Sequence, residues 1–187
     1  MLFEGFIEDQ EKYRIEISAN VALERGELDP GFTSSIRLSA TELAVSSSSL
    51  GQELIIHYSS TRDGFVNLFR LWGDSVDVML PNPLMVDNNY TAGTEAQFPP
   101  ETWRRRGVRL RAELPVGHSR SSEGVLAVFT TKNLTPVGLD RSPTIRDGKL
   151  QNISSLSWLE LQRWLLSLDR GIRSISFAPY RVLASDQ

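Results

Sequence analysis

The chain has no cysteine, so it forms neither a disulfide framework nor a thiolate metal site. Histidine is almost as scarce, with only His57 and His118. Two histidines without further ligands at suitable spacing do not make a zinc site, and no serine or cysteine stands in a triad pattern with them. No run approaches the roughly 18 consecutive apolar residues that a membrane-spanning helix needs. The first residues carry Glu4, Glu8 and Asp9 rather than a basic segment followed by an apolar stretch, so no secretory leader is expected there. Phosphate-cradling glycine patterns (GxxxxGKS/T, GxGxxG) are missing, as is a GxSxG nucleophile elbow. Lysine is rare too, with 3 Lys against 17 Arg.

What is present is a chain of 187 residues, 40% hydrophobic and 23% charged. That is enough to bury a core without crosslinks, and the expectation is one domain over residues 1–187. The net charge of −3 hides an asymmetry: residues 1–100 hold 6 Lys+Arg against 15 Asp+Glu, and residues 101–187 hold 14 against 8. Two halves that attract each other within one fold explain this most simply. A basic face for an anionic partner is the sharper reading.

Alternation with period two dominates and predicts β-strands. Tyr13, Ile15 and Ile17 share one face, Ile36 and Leu38 another, and Leu54, Ile56 and Tyr58 a third. Val76, Val78 and Leu80 oppose Asp77 and Met79, while Val108, Leu110, Ala112 and Leu114 oppose Arg109, Arg111 and Glu113. Residues 65–72 and 125–129 are apolar on both sides and are the candidate central strands. Turn chemistry separates these runs: LDPGF over 28–32, the serines of 46–49, Asp63-Gly64, Gly73-Asp74-Ser75, and Pro81-Asn82-Pro83. A final strand over 175–183 is interrupted at Pro179, and residues 139–152 read as a loop. The first ten residues read as a short helix or a fraying end.

One segment changes to helical period. In residues 157–168, Trp158, Leu161, Leu165 and Leu168 form a stripe that Leu159, Trp164 and Leu166 widen. Ser157 and Glu160 fit a capping box, and Gly171 stands where a helix terminator belongs. The resulting expectation is a mainly antiparallel β-sandwich of about eight or nine strands with one C-terminal amphipathic helix packed on it.

Candidate sites are sparse. The densest charge is WRRRGVRLR, with Arg104, Arg105, Arg106, Arg109 and Arg111. It reads as a solvated or edge-protecting face, or as a contact for an acidic protein partner or neighbouring domain. Only Trp103 adjoins it, so the aromatic stacking that single-stranded nucleic acid requires is missing, and no nucleic-acid role is expected. Asp87, Asn88 and Asn89 give three consecutive oxygen-bearing side chains in a long loop, either as turn residues or as a small-ligand site. The four tryptophans could serve a carbohydrate platform, but two lie on the predicted helix. No catalytic residue, metal site or cofactor is expected.

From about residue 50 to 133 the chain resembles the bacterial domain-of-unknown-function 4384 family. The resemblance rests on Gly51-Gln52-Glu53-Leu54-Ile55-Ile56, then Asp63-Gly64-Phe65-Val66-Asn67-Leu68-Phe69, then Met79-Leu80-Pro81-Asn82-Pro83. Asn88 or Asn89 with Ala92-Gly93, then Phe98-Pro99, Leu114-Pro115-Val116-Gly117 and the run from Val125 to Thr131 complete the order. At the second turn Gly73-Asp74 stands where that family more often has Asp-Gly. The resemblance implies a β-rich accessory domain, found in bacterial envelope proteins or attached to signalling enzymes, with no defined catalytic residue. The functional expectation is a non-enzymatic accessory or protein-interaction module, cytoplasmic or exported; the alternative is a carbohydrate- or small-ligand-binding sandwich.

Overall fold

Among the described residues, the period-two runs other than 108–114 become strands, and the burial of alternate side chains sorts them into layers. The structure, a computed structural model, describes residues 26–46, 51–73, 75–82, 84–136, 144–146, 149–151 and 154–185. The expected strand around Tyr13, Ile15 and Ile17, the first ten residues, Ser47 to Ser49, Asp74 and Pro83 lie outside the described residues. The elements in order are β1 (Ser34–Leu38), β2 (Glu42–Val45), β3 (Ile56–Ser60), β4 (Gly64–Trp72), β5 (Ser75–Leu80), β6 (Asn89–Tyr90) and β7 (Ala96–Phe98). Then come α1 (Glu101–Arg105), β8 (Arg120–Thr130), β9 (Thr144–Arg146), β10 (Lys149–Gln151), β11 (Ser155–Ser157), α2 (Trp158–Ser167) and β12 (Arg173–Ala184).

The large sheet runs β11-β5-β4-β8-β12-β2, with β6 attached to β4; a small sheet runs β1-β3-β7. As expected, β4 and β8 are central, paired antiparallel from Phe65↔Thr130 to Trp72↔Glu123. The β12–β2 pair is parallel. The protein is mainly β, with the two sheets facing each other and α2 on the far face of the large one. Leu54, Ile56, Val66, Leu68, Ala127 and Phe129 belong to the core between the sheets. Phe69, Val76, Val78, Val128, Leu156 and Leu161 form a second core under α2.

Several details differ from the sequence expectation. Residues 139–152 do not read out as a plain loop, because β9 and β10 pair antiparallel from Lys149↔Arg146 to Gln151↔Thr144. A register shift between Leu68 and Phe69 puts Leu80 opposite Leu68 and Val78 opposite Phe69. Leu80 therefore joins Met79 in the inter-sheet core, away from Val76 and Val78. Residues 108–114 keep their alternation, with Val108, Leu110 and Ala112 buried. They form an extended segment rather than a named strand, bonded to the chain at Gln52 and Leu54 (Leu54 N–H to Leu110 O 2.8 Å, Ala112 N–H to Gln52 O 2.9 Å).

Pro179 does not interrupt β12. Arg181 N–H, two residues on, points away from β8 to Thr41 O at 2.8 Å. By the same alternation the position of Pro179 needs no N–H toward β8. The capping box forms as read, with Glu160 N–H on Ser157 Oγ (3.3 Å) and Ser157 N–H on Glu160 Oε2 (2.7 Å). Those bonds hold the Glu160 carboxyl below its usual range, the Ser157 backbone bond contributing most. Gly171 is not the terminator. Leu168 turns extended (φ −81°, ψ 132°) and buries, and Asp169 accepts Gly171 N–H to open a 3₁₀ turn over Arg170–Ile172. Of the predicted helical stripe, Leu161 and Leu168 are buried, while Trp158 and Leu159 stay exposed.

Candidate functional site

The arginine-rich stretch begins as a helix, α1. Glu101 in the first turn and Arg104 and Arg105 in the last suit the helix dipole of α1. It closes in a Schellman motif: Gly107 sits at φ +87°, its N–H reaches Arg104 O at 2.9 Å, and Val108 N–H reaches Trp103 O at 3.1 Å. That turn sends the chain back so that Arg104 and Arg109 meet the same carboxylate. Arg104 Nε lies 2.8 Å from Glu53 Oε1 and Arg109 Nε 3.3 Å from Glu53 Oε2. Arg111 donates to Gly51 O at 3.0 Å. Arg104 and Arg105 also hold Glu101, at 3.2 and 3.3 Å.

Electrostatics follow this geometry. The hydrogen bond from Arg105, with the charges of both arginines, keeps the Glu101 carboxyl below its ordinary range. The hydrogen bond to Glu53 leads the upward shift of Arg104. Of the five arginines, Arg104, Arg105 and Arg109 pair with Glu53 or Glu101. Arg104 and Arg109 are three-quarters covered, whereas the Arg105 side chain is 78% exposed. Arg106 is exposed and has no ion pair among the described residues. The acidic and basic halves of the chain do meet here, through Glu53.

The Asp87, Asn88 and Asn89 loop is held from inside. Asn88 is buried, its Nδ2 donates to Val66 O at 3.0 Å, and its own carbonyl accepts Val66 N–H at 2.9 Å. Asp87 Oδ1 accepts Asn89 N–H at 3.0 Å and the Asn89 amide at 2.5 Å. Asp63 Oδ1 takes Ala92 N–H at 2.7 Å, and Asn82 Oδ1 takes Leu84 and Met85 N–H at 2.9 and 3.0 Å. The Asp and Asn residues of the family-like motifs are thus the staples of two long connections.

Sequence reasoning missed a polar cluster at one end of the inter-sheet layer. Arg70 reaches Asp77 Oδ2 from Nε at 3.0 Å and from Nη2 at 2.5 Å, and its guanidinium lies 5.1 Å from the Trp72 ring centre. Tyr180 donates to Glu123 Oε2 at 2.5 Å. Asp77, Glu123 and Tyr180 are buried. Burial pulls the Arg70 guanidinium down, but Asp77, Tyr180 and Glu123 outweigh it and the net shift is upward. Burial, then Glu123, raises the Tyr180 phenol. A signal was available: two opposite charges in apolar strands, seven residues apart across a tight turn, become direct cross-strand neighbours (Arg70↔Asp77).

Other sequence candidates stay apart. His57 Nδ1 lies 3.8 Å from Glu95, and His118 sits on an exposed turn. Among the described residues no group of three or more His, Cys, Asp or Glu could hold a metal ion. The tryptophans occupy separate settings: Trp103 against Phe98, Trp164 against Phe69, Trp72 under Arg70, and Trp158 exposed. Two open cavities of about 450 and 350 Å³ meet at Thr33 and Ser34, with Asp29 and Glu95 as their carboxylates and no histidine. No helix among the described residues is long and apolar enough to cross a membrane.

Fold and site together define a mainly β domain whose most prominent charged feature is a partly self-neutralised arginine rim. Residues 48–133, somewhat under half of the chain, match the model of a family described as a domain of unknown function, DUF4384. The resemblance read from the motifs is thereby shown for that segment. No curated protein and no solved structure matches the chain.

Proposed function

We propose that the chain is a non-catalytic accessory module of a multidomain bacterial protein, and that it binds an acidic protein surface or neighbouring domain through the exposed face of α1. The observation that carries this reading is the charge left over at the rim. Arg104, Arg109 and Arg111 are held by Glu53, Glu101 and Gly51, whereas Arg105 keeps one exposed pair with Glu101 and Arg106 is exposed with no ion pair among the described residues. A carboxylate-bearing partner is the complement of such a surface. The commitment of the described buried carboxylates, Asp77 and Glu123, to Arg70 and Tyr180 supports a structural rather than a catalytic use. The ligand-loop alternative has no comparable support, since the Asn88 amide is tied to β4.

The test is co-precipitation of the native partner by the wild-type chain and by an Arg105→Glu, Arg106→Glu double variant, with thermal unfolding in parallel. Wild-type recovery should fall as salt rises, and the variant should recover none at an unchanged Tm. Arg104 and Arg109 are left alone because replacing them would strand Glu53. Equal recovery by both proteins refutes the assignment.

A further inference from the structure

The two carboxylates of the arginine rim hold it in different ways. Glu53 is 23% exposed and takes Arg104 Nε at 2.8 Å, Arg104 Nη2 at 3.4 Å and Arg109 Nε at 3.3 Å. It is fixed from behind, where its backbone bridges Arg111. Glu101 is 52% exposed, and its two oxygens have separate tasks. Oε2 accepts from Arg104 Nη1 at 3.2 Å and from Gln97 Nε2 at 3.4 Å, so it is anchored twice. Among the described residues, Oε1 accepts only from Arg105 Nε, at 3.3 Å.

That last bond is the most exposed tie in the rim. Charge-assisted bonds run about 2.7–2.9 Å, and this one is longer, between side chains 78% and 52% exposed. Exposed pairs of this kind stabilise little. Among the described residues Arg105 has no other carboxylate, and Arg104 keeps Glu53 whether or not Glu101 stays. A guanidinium binds a carboxylate best through two parallel N–H donors. The Nε edge of Arg105 is one such fork, and Glu101 occupies half of it. A second carboxylate there meets the negative charge of Glu101, so one of the two must leave.

We propose that Glu101 is an internal placeholder for the carboxylates of an acidic peptide, which takes the Nε edge of Arg105 while Glu101 withdraws to Arg104 and Gln97. This role rests on the arginine-rim reading and adds to it the contact that regulates the site. Arg106, exposed and without an ion pair among the described residues, receives the next carboxylate of the same peptide. A peptide suits this surface better than a nucleic acid. Trp103, the aromatic residue beside the cluster in sequence, packs against Phe98 with ring centres 6.2 Å apart and offers no ring for a base. The hydrogen bond from Arg105, which leads in holding the Glu101 carboxyl below its ordinary range, is the bond that the peptide replaces.

The experiment is fluorescence anisotropy of a labelled polyglutamate peptide titrated with the full chain at low salt and neutral pH, with thermal unfolding of each variant in parallel. The wild type should bind, and Glu101→Gln should bind about two- to five-fold tighter, the factor that an exposed pair of this kind is worth. In an Arg105→Gln background the same substitution should gain little, because the contact it relieves is already gone. In the wild type the carboxyl-carbon resonance of Glu101 should move as peptide is added, while that of Glu53 stays. A wild type that ignores the peptide overturns the rim reading and the placeholder together. Binding by the wild type with no gain from Glu101→Gln, or with the same gain in both backgrounds, overturns the placeholder alone. So does a Glu101 resonance that the bound peptide leaves in place. Tighter binding of a single-stranded oligonucleotide of equal charge overturns the assignment to an acidic peptide.

Discussion

Replacing Asp77 with alanine tests the buried cluster most directly. Arg70 and Asp77 have side-chain exposures of 16% and 11% and face each other across β4 and β5. Removing the carboxylate leaves a desolvated guanidinium that cannot give up its charge. Breaking a buried pair in this way costs about 3–5 kcal/mol. Glu123 adds a second negative charge near Arg70, so the lower end, about 3 kcal/mol, is expected. For a domain of this size that lowers Tm by roughly 6–12 °C. Urea unfolding followed by tryptophan fluorescence should show the midpoint moving at constant slope. The control is Arg70→Met with Asp77→Leu, which removes both charges at similar volume and should lie within about 1 kcal/mol of the wild type. The reasoning fails if Asp77→Ala loses less than about 1 kcal/mol, or if the double variant is as unstable as the single one.

Three further outcomes follow. Ser157→Ala should destabilise by about 1 kcal/mol, read by urea unfolding, because it removes the hydroxyl of the capping box. Gly64→Ala should cost about 1–3 kcal/mol, read by thermal unfolding, since a Cβ there would stand 2.2 Å from the Thr130 carbonyl oxygen and force β4 and β8 apart. Stability should decline in alkali. Burial, then Tyr90, pushes the Tyr58 phenol up to about 12, from 10.0, so its contribution is intact below the unfolded value and is lost as pH rises through the folded one. Tyr180 moves in the same direction. Unfolding free energy measured across that window should fall for the wild type and fall less for Tyr58→Phe, whereas a flat wild-type profile would contradict the burial argument.

Much of the fold was readable because its signals are local. Apolar residues on both faces of 65–72 and 125–129 identified the central strands, since a strand apolar on both sides must be covered on both sides. Ser157 and Glu160 marked the start of α2 because a capping box needs only residues three apart. Helix α1 was missed because one and a half turns carry too little periodicity to register. The arginine cluster was legible as charge but not as geometry, for the carboxylate that Arg104 and Arg109 share lies about fifty residues upstream.

Alternation and turn chemistry by themselves determined that this chain is β-rich, roughly where its longer strands β1, β3, β4, β5, β8 and β12 run, and which side chains share a face. Tertiary structure alone decided which edges meet: β2 parallel beside β12, the register shift that carries Leu80 to the other core, and the parity that lets Pro179 sit inside a strand. The reason is physical. A side chain's face follows from the backbone of its own strand, whereas the partner of a backbone N–H is set by long-range packing, to which a period of two is blind.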